Sequence, residues 1–243
     1  MSKHLRIWLF VILGTLLTST FLLAQGYSFI TMTTSKAVGE TIRLYIKANG
    51  NVTIEGAQET SDYDTYTLTL TSQTVTIRGD VTELDCRESQ LTSLDVSKNT
   101  ALKILACQDN QLTSLDVSKN TALEILACQD NQLKSLDLPK HIALTKLLCS
   151  NNKLTSLNVS GCTRLTFIDC TSNYIKGKAM TKLVNNLPDR RKKSSGTLLV
   201  VDCSSQKRDR NRCIAADVTT AKRKNWEVLK DRGPYDWVSY SGD

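Results

Sequence analysis

The chain has 243 residues, 40% of them hydrophobic and 23% charged, with a formal net charge of +7. This composition excludes a disordered chain, and 11 glycines with 3 prolines exclude a collagen-like one. The length suggests two domains, but the periodicity favours one elongated unit with a cap at each end.

Residues 1–24 stand apart. Lys3, His4 and Arg6 make a basic start, and Ile7 to Ala24 carries no charge. This is the pattern of a secretory signal cut after Ala24. The uncharged run is also just long enough to span a bilayer, so a retained N-terminal anchor is the alternative. Either way the body is expected to be exported. Residues 25–80 are rich in Thr, Val, Ile and Tyr. Alternation predicts strands over Phe29–Thr33, Thr41–Ala48, Asn51–Glu55 and Thr65–Arg78. Asn49-Gly50 is a hairpin signal between the second and third. Leu70 to Ile77 falls in phase with the convex half of the repeat that follows. The region reads as a β cap covering the open end of the first rung, since a bare hydrophobic end would aggregate.

From Val81 to Lys178 the chain repeats every 21 residues. Residues 91–102 and 112–123 both read LTSLDVSKNTAL, and residues 106–112 and 127–133 both read ACQDNQL. The apolar columns include Leu84, Leu105, Leu126, Leu147 and Ile168. Two residues further on stand Cys86, Cys107, Cys128, Cys149 and Cys170. Three further come Ser89, Asn110, Asn131, Asn152 and Asn173, then Leu91, Leu112, Leu133, Leu154 and Ile175. The pattern is L-x-x-L-x-C-x-x-N-x-L, a leucine-rich repeat with cysteine at one leucine position. Leu105 and Cys107 alternate around Ala106, so a short strand points both inward. One repeat cannot bury its apolar face alone, whereas stacked neighbours bury a continuous core. The asparagines are expected to bond backbone groups where the chain turns out of the strand. Leu112, Leu115 and Val117 then point inward on the convex side.

Metal sites need converging thiolates, but these sulfurs lie one per rung, roughly 5 Å apart. In-register side chains point the same way, which disfavours a disulfide. The ladder is therefore expected to be reduced core packing. Cys162 and His141 share a turn column with Asn99 and Asn120 and read as packed turn residues. Cys203 and Cys213 lie outside the ladder and are the pair to test for a bridge.

A 21-residue repeat with a cysteine ladder resembles the cysteine-containing leucine-rich repeats of internalin J-type bacterial surface proteins. The frame LTSLDVSKNTAL is similar to repeats in secreted Bacteroidetes proteins of that type. The flanks GETIRLYIKANGNVTIEG and AKRKNWEVLK resemble caps in the same group. The resemblance implies a role in adhesion, host contact or biofilm formation.

After Lys178 the period fails. Ala179–Leu187 has the spacing of a short amphipathic helix, stopped by Pro188. Leu198–Val201 reads as a buried strand. A second helix is expected from Asp217, as its cap, to Trp226. Glu227–Leu229 and Trp237–Tyr240 read as closing strands, so residues 179–243 form a degenerate last repeat and a C-terminal cap. The fold class is thus a leucine-rich-repeat solenoid of 21-residue repeats with parallel β rungs and a mostly irregular convex side. An N-terminal β cap and an α/β C-terminal cap close its ends.

Charge is uneven. Residues 176–232 hold sixteen Lys and Arg against six Asp and Glu. The runs are Arg190-Arg191-Lys192-Lys193, then Lys207, Arg208, Arg210 and Arg212, then Lys222-Arg223-Lys224. Such a patch favours anionic partners. Export and the lack of interleaved aromatics disfavour nucleic acid.

Enzyme chemistry has little to stand on. His141 is the one histidine outside the leader, and no GxGxxG, P-loop, HExxH or GxSxG pattern occurs. No catalytic residue, metal ligand or cofactor site is assigned. The concave strand face is the better candidate. Ile104, Ala106 and Gln108 alternate outward, as do Ile125, Ala127 and Gln129, then Lys146, Leu148 and Ser150, then Phe167, Asp169 and Thr171. Ile104, Ile125, Leu148 and Phe167 are expected to form an apolar stripe, and an aromatic is a common hot spot. The reading is an exported or cell-surface adhesion module. It would bind a protein or glycan of a host or neighbouring cell through Ile104, Gln108, Ile125, Gln129, Lys146, Leu148, Phe167 and Asp169. The alternative is an envelope protein holding anionic polysaccharide or lipopolysaccharide through Arg190, Arg191, Lys192 and Lys193. Membrane contact is expected only through an uncleaved N-terminal segment.

Overall fold

The computed structural model describes residues 28–62, 64–138, 140–202, 209–231 and 236–242. The leader at 1–24, Cys203, Lys207 and Arg208 lie outside these. In chain order the strands are β1 (Phe29–Thr34), β2 (Thr41–Ala48), β3 (Thr53–Glu55), β4 (Ala57–Asp62), β5 (Thr65–Leu70), β6 (Thr74–Arg78), β7 (Val81–Asp85) and β8 (Leu91–Asp95). The repeat supplies β9 (Ile104–Ala106), β10 (Ile125–Ala127), β11 (Lys146–Leu148) and β12 (Phe167–Asp169). Then come α1 (Lys178–Asn186), β13 (Gly196–Asp202), α2 (Ala215–Arg223), β14 (Trp226–Asp231) and β15 (Trp237–Ser239).

The fold is mostly β. Strands β7 and β9 to β14 pair in parallel, and Leu84, Leu105, Leu126, Leu147 and Ile168 stand opposite one another. Three residues are too few for a strand on its own; each rung holds because neighbours pair on both sides. The leucine and cysteine columns are buried in one continuous core. Outside the strands the backbone still bonds rung to rung. The N–H of Cys86, Cys107, Cys128 and Cys149 donates to the next rung at 2.8 Å. On the convex side Gln111 N–H donates to Leu91 O, Gln132 to Leu112 O, Lys153 to Leu133 O and Tyr174 to Leu154 O, at 2.8–2.9 Å.

Side chains close the gaps. Asn131 Oδ1 accepts from Leu112 N–H at 2.9 Å, and its Nδ2 donates to Cys107 O at 2.9 Å. Asn110, Asn152 and Asn173 do the same one rung away. The residue before each of these asparagines is left-handed: Asp109, Asp130, Asn151 and Ser172 have φ between 50 and 56°. Short polar side chains tolerate that conformation. A second ladder runs through the turns. Asn120 Nδ2 reaches Val96 O at 2.9 Å, His141 Nε2 reaches Val117 O at 3.0 Å, and the Cys162 thiol reaches Leu138 O at 3.2 Å. An amide, an imidazole and a thiol thus fill one role, donating to the carbonyl one rung back.

The ends depart from a purely parallel stack. The 11-stranded sheet is mixed: β2 joins β7 antiparallel, β5 and β4 follow, and β15 joins β14 antiparallel at the other end. A second, four-stranded sheet has the order β3-β6-β1-β8. β8 is a strand because β1 pairs with it; the equivalent Leu112–Asp116 one rung on has no such partner and stays irregular. Several expectations are corrected here. Thr65–Arg78 is two strands broken at Thr71–Gln73, and they enter different sheets. Asn49-Gly50 does not close a hairpin, since β2 pairs with β5 and β7 while β3 pairs with β6. The phase of β6 does not make it a neighbour of the first rung, because β1 lies between β6 and β8. Ala57–Asp62 has no apolar alternation, so β4 is not legible in the sequence.

The C-terminal region continues the core by other means. Leu198 and Val200 of β13 take inward positions, and Asn211 restores the asparagine ladder. Its Oδ1 accepts from Ile175 N–H at 2.8 Å, and its Nδ2 donates to Cys170 O at 2.7 Å and Val200 O at 2.9 Å. Cys213, two residues later, is buried where Leu112 sits in a regular rung. α1 begins at Lys178 and buries Met180, Leu183 and Val184. α2 runs from Ala215 to Arg223, with Ile214 as its cap; Asp217 is a buried first-turn residue instead. Trp226 belongs to β14. Its indole lies against Gly196, where an added Cβ would come within 2.7 Å of the ring.

Replacing Asn131 with alanine strands the Leu112 N–H in the core and leaves the Cys107 carbonyl with the Asn110 amide alone. Each buried orphan costs about 1–3 kcal/mol. Denaturant unfolding should show a loss of about 2–5 kcal/mol with an unchanged m-value. A change within ~0.5 kcal/mol would mean that the amide ladder does not hold the rungs together.

Candidate functional site

Pairing register fixes what faces out from the parallel sheet. One row reads Glu83, Ile104, Ile125, Lys146, Phe167, Thr197 and Glu227. The next reads Tyr45, Asp85, Ala106, Ala127, Leu148, Asp169 and Leu199. Gln108 and Gln129 begin a third. The expected apolar stripe is therefore not one row. Lys146 occupies the isoleucine row, and Leu148 stands in the alanine row. Each strand's starting residue sets its row, and Lys146 fills the place held by Ile104 and Ile125.

The aromatic end of this face is more elaborate than the repeat pattern shows. The Trp237 ring lies 5.8 Å from that of Phe167, tilted by 47°, and Trp237 is 46% exposed. The Lys146 ammonium sits 5.3 Å from the Phe167 centroid. No ion pair neutralises Lys146 among the described residues. Ile104, Ile125, Leu148 and Phe167 are all half-buried. Asp169 is half-buried and accepts from Thr171 N–H at 3.1 Å and Thr171 Oγ1 at 2.8 Å; desolvation still pushes its carboxyl above the usual range. Gln108 and Gln129 are more enclosed than their outward phase suggests. Trp237 was not legible as a site residue, since only the return of β15 brings it to Phe167.

The cysteine column offers no reactive group. Cys86, Cys107, Cys128, Cys149, Cys162 and Cys170 are buried and carry no disulfide. Burial pushes Cys128 and Cys162 up to about 12 and the other four well above their ordinary value. A thiol held neutral is neither a nucleophile nor a ready metal ligand. The expected pair with Cys203 lies outside the described residues.

The basic tetrad divides. Arg190 is buried, and its guanidinium donates to Leu165 O at 2.9 Å, Ser194 O at 3.0 Å and Ser194 Oγ at 3.2 Å. It holds the core rather than facing an anion, which corrects its place in the anion site. Arg191 pairs with Asp189, whose carboxyl it holds down at about 2. Lys192 and Lys193 face solvent. Lys224 is committed too: its ammonium donates to Leu187 O at 2.8 Å, at the end of α1. Arg210 lies over Tyr174, 5.0 Å from the ring centroid. On the convex side a groove of about 630 Å³ is lined by Asp116, Lys119, Asp137, Lys140 and His141. His141 is wholly buried with Nε2 on Val117 O, so it is badly placed to act as a base there.

No protein-family model matches the chain, and no curated protein does. Among solved structures it is similar to the functional domain of InlJ from Listeria monocytogenes, which includes a cysteine ladder. The identity is 32%, the TM-score 0.45, and the match covers 62% of this chain and 30% of that one. The chain thus spans under a third of that neighbour.

Three measurements check these assignments. Because the ladder thiols titrate above their unfolded value of about 9, their contribution to stability is complete below that pH. It is lost as pH rises from there towards 12, so unfolding free energy should fall through that window. A thiol reagent at pH 8 should modify the ladder only after unfolding; rapid native labelling of Cys128 would contradict its burial. Separately, Arg190→Ala should cost about 2–4 kcal/mol, while Lys192→Ala stays within ~0.5 kcal/mol. Equal effects would put Arg190 back on the surface.

Proposed function

We propose that the chain is a capped leucine-rich-repeat solenoid that works without catalysis, as an exported adhesion or interaction module. The outer face of its parallel sheet is the face that meets the partner. The observation that carries this reading is the half-buried apolar set Ile104, Ile125, Leu148 and Phe167, extended by the exposed indole of Trp237. An apolar patch with an aromatic centre and a polar rim is the usual anatomy of a binding surface. Side chains on rigid strands also need little reordering on binding, which favours affinity. Export rests on the leader at residues 1–24, and the partner on a host or neighbouring cell rests on export. Holding of anionic polysaccharide by the C-terminal region is the weaker reading, because Arg190 and Lys224 are spent internally.

The test is adhesion of beads coated with the mature chain to a cell layer. Ile125→Asp and Phe167→Ala should each reduce retention by about tenfold or more, with unfolding midpoints close to the parent's. Both variants adhering like the parent would remove the sheet face as the binding surface.

A further inference from the structure

Two side chains on the outer face of the sheet carry a polar atom with nothing to bond. Gln108 and Gln129 occupy the same position of consecutive rungs. Gln108 is 7% exposed, and Oε1 of both amides is buried without a hydrogen-bond partner. The local donors are already used. Asp109 N–H goes to Gln129 O at 3.2 Å, Asp130 N–H goes to Ser150 O at 3.1 Å, and the N–H groups of Cys107 and Cys128 bond the next rung. Asn110 and Asn131 spend their amide hydrogens on backbone carbonyls. A buried acceptor in that state is uncommon and is stabilised by any donor that reaches it.

The charge beside these amides is mostly negative. The next residue on each rung is an acid, and Glu88, Asp109 and Asp130 form a column with φ of 54–56°. Burial raises the Asp109 carboxyl, and Asp130 and Glu88 raise it further. Two groups oppose this. Arg87 faces the column but is paired with Asp85, and Asn151 donates to Asp130. On the other side of the amides lie Ala106 and Ala127, then Ile104 and Ile125. The surface is thus apolar, then accepting, then acidic, across two rungs roughly 5 Å apart.

We infer that Gln108 and Gln129 form a subsite for an arginine side chain of a partner polypeptide. On binding the two side chains turn outward and the guanidinium donates to both amide oxygens, its charge faces Asp109 and Asp130, and its methylenes lie over Ala106, Ala127 and the isoleucines. A planar fork of donors spans two acceptors one rung apart, and its weak hydration suits a half-buried site; a lysine ammonium is a compact and strongly hydrated point charge. This subsite rests on the reading that the outer sheet face binds a partner.

The experiment pans a displayed random-peptide library on the mature full-length chain. Arginine should be enriched among the binders, and Arg→Lys in a selected peptide should weaken it by about fivefold or more. The double variant Gln108→Leu with Gln129→Leu should weaken that peptide by about tenfold or more, with a thermal midpoint equal to or above the parent's, since it deletes two unpaired acceptors. A lowered midpoint would make the amides structural and overturn the proposal. So would binders without arginine preference, or binding indifferent to the double variant. Peptides lost with Ile125→Asp but indifferent to the glutamines would remove this subsite and leave the wider binding face standing. Peptides indifferent to both would remove the two together. A concentration-dependent dimer in sedimentation, abolished by the double variant, would make the occupant a second copy's basic region and overturn the partner assigned here.

Discussion

Everything in this fold depends on satisfying backbone groups between rungs. A three-residue strand leaves most of each 21-residue copy without ladder partners, yet the interior is apolar and excludes water. The asparagine column resolves this conflict. Each amide accepts one N–H from the preceding rung's convex segment and donates to a carbonyl of the preceding strand. It thereby ties the two sides of the stack together at one atom group. Burial of leucine supplies the drive, but the amide geometry decides the register, because a rung displaced by one residue would leave both partners buried and unpaired.

The cysteine ladder looks different in that light. A thiol is small, apolar enough for the core and a weak donor, and it stands where the strand gives way to the turn. The backbone N–H of each ladder cysteine makes the bond to the next rung, while the sulfur fills the space beneath. The turn column makes the same point more sharply. Asn120, His141 and Cys162 differ in size and chemistry, yet each donates to the carbonyl one rung back. What that site requires is a donor of short reach, not a particular residue.

Both ends of the stack are finished by changing strand direction. β2 lies antiparallel on the first rung, β1 covers its convex side, and β15 turns back on β14. A parallel edge would present free backbone groups for another chain, and these additions move the edge onto polar or short strands. The C-terminal finish also consumes charge. Arg190 and Lys224 bond carbonyls at the joints, so a run that looks like a basic patch is partly internal scaffolding. The return of β15 carries Trp237 to Phe167 and so enlarges the apolar end of the outer face.

The sequence by itself determined the repeat, the inward columns, the alternation that sends Ile104, Ile125 and Phe167 outward, and the role of the asparagines. It could do so because five copies of one pattern expose the same local physics repeatedly, and inward and outward are set by alternation within three residues. Only the tertiary structure decided the rest. The break in Thr65–Arg78, the insertion of β1 beside β8 and the departure of Asn49-Gly50 from hairpin geometry depend on pairings between distant segments. Lys146 in the isoleucine row, the burial of Arg190, Asn211 resuming the ladder after β13 and Trp237 on Phe167 were equally hidden. These are single events rather than repeated ones, each settled by which far segment arrives to share a hydrogen bond or a face.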